Sequence, residues 1–309
     1  MNNINFCTGI SGEYRVVVNR ADGTATDTGW FKNLILDQGL DRFGNSGGNV
    51  VYNYARVGTG VSTPVATQTQ LDSQLAVSAG GGAAGATANE GAPLYRTTLT
   101  HTYAFAQGAV VGNITEIGIG WATTGATLFS RALILDNLGS PTSITLVALD
   151  QLTVYYRLRI VPTLTDATGS VTIASTNYNF TVRVASVASF GQNQYAYSSA
   201  DYWTAGAGST TYGAGATLQG VTAYGPSGSA TGTDGTVSAS GYTAGTYYRD
   251  SNFSWSISAG NATGGIQGLR ITWGVTYLPF AYQVYFATPI PKTSTNVLNL
   301  VFRFSWARA

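Results

Sequence analysis

At 309 residues the chain is long enough to bury one large or two medium cores, and with 44% hydrophobic and 12% aromatic residues it is too apolar to stay unfolded despite 39 glycines. Charged residues make up only 9% and balance to +1, against about 25% in an average soluble domain, so no basic stripe is available for a phosphate backbone and nucleic-acid binding is disfavoured. A surface left to Thr, Ser, Asn, Gln, Gly and Tyr suits contact with other protein copies or with sugars, because hydroxyls and amides lose less than Lys or Glu when water is removed. Composition leaves a secreted β protein open as an alternative.

Cys7 is the only cysteine, which excludes an internal disulfide. The opening Met1-Asn2-Asn3-Ile4-Asn5-Phe6 has neither the positive stretch nor the apolar run of a secretory signal. No segment approaches the ~18 uninterrupted apolar residues of a membrane span. These features predict a chain made in the cytosol and not inserted in a membrane.

In chain order, Tyr14-Arg15-Val16-Val17-Val18-Asn19 predicts a strand that turns at Arg20-Ala21-Asp22-Gly23 and returns through Trp30. Residues 33–44 predict a short helix capped by Asn33 and ended by Gly39 or Gly44. A second helix is expected over residues 67–76, where Thr67 or Thr69 can cap and Leu71 and Leu75 lie one turn apart. Residues 79–92 are Gly/Ala-rich without periodicity and read as a flexible loop. Alternation then resumes: Tyr95, Leu99, Tyr103 and Phe105 share a face, and residues 114–121 and 127–135 form a hairpin about Thr123-Thr124-Gly125. Leu152, Val154, Tyr156, Leu158 and Ile160 mark a half-buried strand.

The pattern breaks at Pro162-Thr163-Leu164-Thr165-Asp166-Ala167-Thr168-Gly169, which places a domain boundary near residue 165. Tyr178, Phe180, Val182 and Val184 open the second half with one apolar strand face. Residues 189–248 form a Gly/Ser/Thr/Ala/Tyr tract, more compatible with short strands joined by Gly turns than with a coil of that length, or with an arm that a partner orders. Ile271, Trp273, Val275 and Tyr277 alternate, as do Tyr282, Val284 and Phe286. After the turn at Pro289-Ile290-Pro291-Lys292, Leu298, Leu300, Phe302, Phe304 and Trp306 line one face of a terminal core or interface strand.

Taken together, Trp30-Phe31-Lys32-Asn33-Leu34-Ile35-Leu36-Asp37-Gln38-Gly39-Leu40-Asp41-Arg42-Phe43-Gly44, Ala55-Arg56-Val57-Gly58-Thr59-Gly60, Thr63-Pro64, Thr69-Gln70-Leu71, Ile114-Thr115-Glu116-Ile117-Gly118, Leu128-Phe129-Ser130-Arg131-Ala132 and Asp150-Gln151-Leu152-Thr153-Val154-Tyr155-Tyr156-Arg157-Leu158 resemble a structural module of tailed-bacteriophage fibre and collar proteins. The resemblance covers about the first half; Tyr282-Gln283-Val284-Tyr285-Phe286 and the terminal strand resemble endings of phage neck or tail proteins. It implies membership of a virion and no particular chemistry. It further implies that residues 1–165 dock on the particle while residues 166–309 face outward or form the oligomer.

Candidate chemistry is sparse. His101 is the only histidine, so a His-pair metal site is excluded, and its place between Leu99 and Tyr103 predicts a partly buried strand histidine rather than a catalytic one. Cys7 has no basic neighbours that would activate it. Gly58-Thr59-Gly60 lacks a Rossmann fingerprint or a Walker lysine. Glycoside hydrolysis needs two carboxylates, for which Asp201, Asp234 and Asp250 are candidates without a distinguishing spacing, and the Asp-Gly pairs at Asp22 and Asp234 are turn signals before they are calcium loops. Tyr195, Tyr197, Tyr202, Trp203, Tyr212 and Tyr224 suit surface recognition or packing, whether in the core or between subunits.

The whole reading is an all-β chain of two β-sandwich-like domains with one or two short helices in the first. No enzymatic activity, cofactor, metal or catalytic residue is expected, and the partners are other copies of itself and other phage neck or tail proteins. Its expected place is the virion, as collar, neck or tail fibre, after synthesis in the host bacterial cytoplasm. A receptor-binding module for host surface glycan is the alternative, with Tyr195, Tyr197, Trp203, Tyr212 and Tyr224 as its recognition residues, and a polysaccharide depolymerase is a third.

Overall fold

The computed structural model describes residues 3–45, 51–80, 86–187, 208–232, 235–272 and 281–309. Among these, strands numbered in chain order make four sheets. The largest has nine strands in the order β18 (Thr236–Ala239), β19 (Tyr248–Trp255), β22 (Leu298–Arg308), β1 (Ile4–Asn19), β13 (Gln151–Pro162), β8 (Arg96–Ala104) and β7 (Ala86–Glu90), with β2 (Ala25–Asp27) and β3 (Phe31–Lys32) also paired to β1. A five-stranded sheet runs β4 (Leu34–Ile35), β11 (Leu128–Leu133), β10 (Glu116–Gly120), β5 (Tyr54–Gly58) and β6 (Gln74–Ala79). β9 (Gly112–Ile114) pairs with β12 (Ile144–Leu146), and a six-stranded sheet runs β14 (Ala167–Ile173), β15 (Thr176–Ala185), β21 (Ala281–Ile290), β20 (Ile266–Thr272), β16 (Gly208–Gly213) and β17 (Ala230–Gly232).

The result is an all-β, sandwich-like fold, and its cause is the two-residue period. β1 alternates along its whole length: Ile4, Phe6, Thr8, Ile10, Tyr14, Val16 and Val18 are buried, while Asn5 and Cys7 are exposed. β13 and β22 flank it with the faces that alternation predicts, burying Leu152, Val154, Tyr156, Leu158 and Ile160 on one side and Leu298, Leu300, Phe302, Phe304 and Trp306 on the other. The other sheets pack on this inner face. The Tyr14 hydroxyl reaches the Ser130 hydroxyl of β11 at 2.7 Å, and the Tyr282 hydroxyl of β21 donates to the Cys7 carbonyl at 3.0 Å while its ring lies 4.5 Å from Phe6.

The predicted boundary coincides with a change of sheet, since β13 ends at Pro162 and β14 begins the six-stranded sheet at Ala167. The chain then returns. β18, β19 and β22 all lie in the nine-stranded sheet, and β22 runs parallel to β1 in the register Ile4↔Phe302 to Ile10↔Arg308. Within the 189–248 tract, the described part contains the short strands β16, β17 and β18 and the first residue of β19. Residues 81–85 and 188–207 lie outside the described residues.

Three local expectations need correction. One α-helix, α1, spans Asp37–Asn45, and Asn33 does not cap it: Asn33 sits between β3 and β4 with its amide N–H on the Gly12 carbonyl at 3.2 Å. Nor do Gly39 and Gly44 end it. Both lie inside the helix, where a β-carbon at Gly39 would press on the Phe129 carbonyl and one at Gly44 on the Trp306 and Tyr242 rings. The second helix, over 67–76, is absent because the backbone there is committed elsewhere: Asp72 and Ser73 give their amides to the Glu116 carboxylate, and the Thr69 carbonyl accepts from Leu128 N and Gln38 Nε2. β6 begins at Gln74 instead. Within the loop expected at 79–92, residues Ala86–Glu90 form β7, which needs only backbone pairing to β8 and is fixed by Glu90 against Arg96 at 2.6 Å.

Candidate functional site

The segments that carry Gly60, Glu116 and Arg131 converge on one buried cluster. β10 presents Glu116 and β11 presents Arg131, both fully buried, with Arg131 Nη2 2.8 Å and Nε 3.0 Å from Glu116 Oε2. The same carboxylate accepts the backbone amides of Gly60, Ser73 and Asp72 at 2.9, 2.8 and 3.1 Å. Arg131 also holds Asp72 Oδ2 at 2.7 Å and Gln68 Oε1 at 2.6 Å. Two charges can be buried here because every lone pair and donor is matched. Gly58 and Gly60 are explained by the same contact: a β-carbon at either would lie 2.6 or 2.5 Å from Glu116 Oε1. The Gly-X-Gly signal therefore marks close approach to a carboxylate.

A second buried arginine, Arg56 of β5, donates to the carbonyls of Ala122 at 3.0 Å, Gly125 at 2.9 Å and Thr124 at 3.2 Å, fixing the turn between β10 and β11. Among the described residues it has no carboxylate partner, and burial lowers its pKa. Both clusters hold loops in place. Between them lies a shallow pocket of about 300 Å³ lined by Gln70, Leu71, Asp72, Gln74, Thr124 and Gly125, in which Asp72 is already bonded to Arg131 and Ser62.

The remaining candidates are distributed. His101 is 8% exposed, its ring centroid 4.2 Å from that of Tyr52 at a tilt of 36°, and among the described residues it leaves Nε2 without a hydrogen-bond partner; burial lowers its pKa to about 4. Asp22 Oδ1 accepts the Thr24 amide at 2.9 Å as a turn. Asp250 faces out of the nine-stranded sheet, joined to Arg303 by two contacts of 2.8 Å. Asp201 and Asp234 lie outside the described residues. No group of three His, Cys, Asp or Glu is placed to hold a metal among the described residues. Within them, too, no helix is long and apolar enough to cross a membrane.

Of the aromatic recognition residues, Tyr195, Tyr197 and Trp203, with Tyr202, lie outside the described residues. Tyr212 is 5% exposed, yet it lies opposite Gly268 on the Arg270 face of its sheet, away from Leu269 and Ile271, and is covered there by Gly225 and Pro226. Tyr224 is 65% exposed, its ring 3.7 Å beneath the Arg270 guanidinium, whose Nε also donates to the Tyr224 carbonyl at 2.7 Å. Tyr212 and Tyr224 lie together beside Arg270, Tyr212 buried and Tyr224 exposed, so they do not form one exposed aromatic surface.

What the sequence reading passed over is the opposite face of the strands it identified. Following Tyr178, Phe180 and Val182 inward leaves Asn179 and Thr181 outward, and they join Thr168 and Ser170 of β14 and Tyr285 and Ala287 of β21 around an open groove of about 450 Å³. The signal was present as polar residues alternating with the apolar ones. Their neighbours across strands became visible only with the register. Among the described residues β14 is also the outer strand of its sheet, paired to β15 alone. No family model, no curated protein and no solved structure matches this chain.

Proposed function

We propose that the chain is a structural component of a tailed-phage particle, in the collar, neck or tail fibre, and that it works by assembling with copies of itself and with neighbouring virion proteins. The motif resemblance supports the setting, and the observation that carries self-assembly is the open edge of β14. Its segment Ala-Thr-Gly-Ser-Val-Thr-Ile has no charge and no proline, whereas solitary proteins blunt such edges with lysine, proline or bulges. The hairpin closes on Ala174 and Ser175, both with positive φ. In such a two-residue turn the pair Ile173↔Thr176 is hydrogen-bonded, so Thr172, Ser170 and Thr168 turn their backbone groups away from β15.

Strand β14 of one copy pairs with an edge of another, and the low surface charge removes the repulsion that would keep copies apart. The mass of the purified protein in solution and its presence in purified particles test this reading. The expected result is an oligomer and a particle-associated chain; Thr172→Pro, which deletes an edge N–H without breaking the β14–β15 ladder, is expected to shift the mass toward the monomer. A wild-type monomer that never appears in particles contradicts the proposal.

A further inference from the structure

The groove on the outer face of β14, β15 and β21 has the features of a ligand site. Cross-strand register sets Thr168 beside Thr181 and Thr181 beside Tyr285 in one row and Ser170 beside Asn179 in the next, and Ala287, two residues beyond Tyr285 on β21, lines the groove with them. With strands roughly 4.8 Å apart and rows roughly 6.7 Å apart, the grid covers about 10 by 7 Å. Its volume of about 450 Å³ falls within the roughly 300–1,000 Å³ of small-molecule sites.

The chemistry of the lining is specific. Thr168, Ser170, Asn179 and Thr181 direct three hydroxyls and one amide toward the groove, and among the described residues none of these side chains is engaged in a hydrogen bond. Tyr285 is held by Gln267 Nε2, which donates to its hydroxyl at 3.2 Å, so its ring is fixed beside the small floor made by Ala287. Two residues beyond Thr181 on the same face of β15, Arg183 is neutralised by Asp166 at 2.6 Å and bonded to the Gln219 carbonyl at 2.9 Å. Two residues beyond Ser170 and Asn179 in the other direction, Thr172 is bonded to Asn177 at 2.5 Å. No charged side chain lines the groove itself.

We propose that this groove binds a neutral oligosaccharide. Sugar hydroxyls both donate and accept, matching Thr, Ser and Asn side chains that do the same. The flat C–H face of a pyranose packs on a fixed aromatic ring, and a sheet holds all of these groups in place, so little ordering entropy opposes binding. A charged glycan would find no counter-ion, and an extended peptide would use the strand edge rather than the side-chain face. The inference is separate from the assembly proposal, because β14 pairs along its edge while the groove lies on its face.

The intact protein would be titrated calorimetrically with maltohexaose, cellohexaose, chitohexaose and isomaltohexaose, with oligogalacturonate and a heparin hexasaccharide as charged comparators. The expected result is saturable binding of a neutral sugar, weakened at least tenfold by Ala287→Arg, which fills the floor, and also weakened by Asn179→Ala and Tyr285→Phe. Solution mass is expected to stay unchanged in all three variants. Asn179→Ala, at an exposed position, provides the deciding comparison if Ala287→Arg disturbs folding. Absence of binding to every neutral sugar, preference for the charged comparators, or binding unaffected by Asn179→Ala overturns the proposal. Asn179→Ala, which lies on β15 and leaves the β14 edge untouched, is expected to change sugar binding and leave the mass unchanged, so failure of one idea is distinguishable from failure of the other.

Discussion

Glu116 and Arg131 show how a charge-poor protein uses the few charges it has. Breaking a buried, fully bonded ion pair by removing one partner costs about 3–5 kcal/mol, since the other charge is left in a low-dielectric site. Arg131→Met is therefore expected to lower unfolding free energy in urea by about 3 kcal/mol or more. The Glu116→Gln, Arg131→Met double variant should lose clearly less than the sum of the singles, because the two residues share one network. His101 gives a pH dependence of known sign. The folded chain holds it neutral down to about pH 4, while the unfolded chain protonates it near ~6.5. Between these values the unfolded state carries more protons, so this contribution is complete above about pH 6.5 and is lost as pH falls toward 4. Comparing urea unfolding at pH 7 and pH 4.5, wild type is expected to lose about 2–3 kcal/mol more than His101→Phe.

At the scale of elements, α1 depends on the absence of side chains as much as on their presence. Gly→Ala in an exposed helix interior stabilises by about 1 kcal/mol. Gly39→Ala is expected to do the reverse, by about 2 kcal/mol or more, because the new methyl meets the backbone carbonyl of Phe129, which cannot swing aside as a side chain would. Thermal unfolding of the variant checks the sign. The helix also anchors the terminal strand: Trp306 Nε1 donates to the Leu40 carbonyl at 3.0 Å, Phe43 meets the Trp306 ring edge-on at 5.9 Å, and Arg308 pairs with Asp37. The contrast between β14 and β22 follows from placement. Both alternate, but β22 is covered on both edges by β19 and β1, while among the described residues β14 is paired on one edge only, by β15.

For the whole molecule, the parallel pairing of β1 with β22 makes the last strand part of the first sheet. Each fully buried large side chain contributes about 1.5–3 kcal/mol, and β22 carries five, from Leu298 to Trp306. Deleting residues 298–309 is expected to leave a chain without a cooperative unfolding transition by circular dichroism, because β1 and β19 would both lose their neighbour and the first half would not stand as an independent unit. A retained sharp transition would show instead that residues 1–165 fold alone.

The all-β class and the buried faces of β8, β13, β15, β21 and β22 were legible in the sequence, because alternation is a local property and a one-residue slip would expose an entire face. The two expectations about helices at 33–44 and 67–76 fared differently for a reason outside their local windows: Phe129 and Trp306 require the glycines, and Glu116 takes the amides that a second helix would need. The Glu116–Arg131 pair was present in the motifs as two separate residues, 15 positions apart, and only the β10–β11 register joined them. The grid of Thr168, Ser170, Asn179, Thr181, Tyr285 and Ala287 draws on segments more than a hundred residues apart in sequence. The sequence by itself determined which face of each strand turns inward, since hydrophobic burial acts residue by residue. Tertiary structure alone decided which strands became neighbours, which edge stayed open and which polar side chains met, because those depend on long-range pairing that no local period encodes.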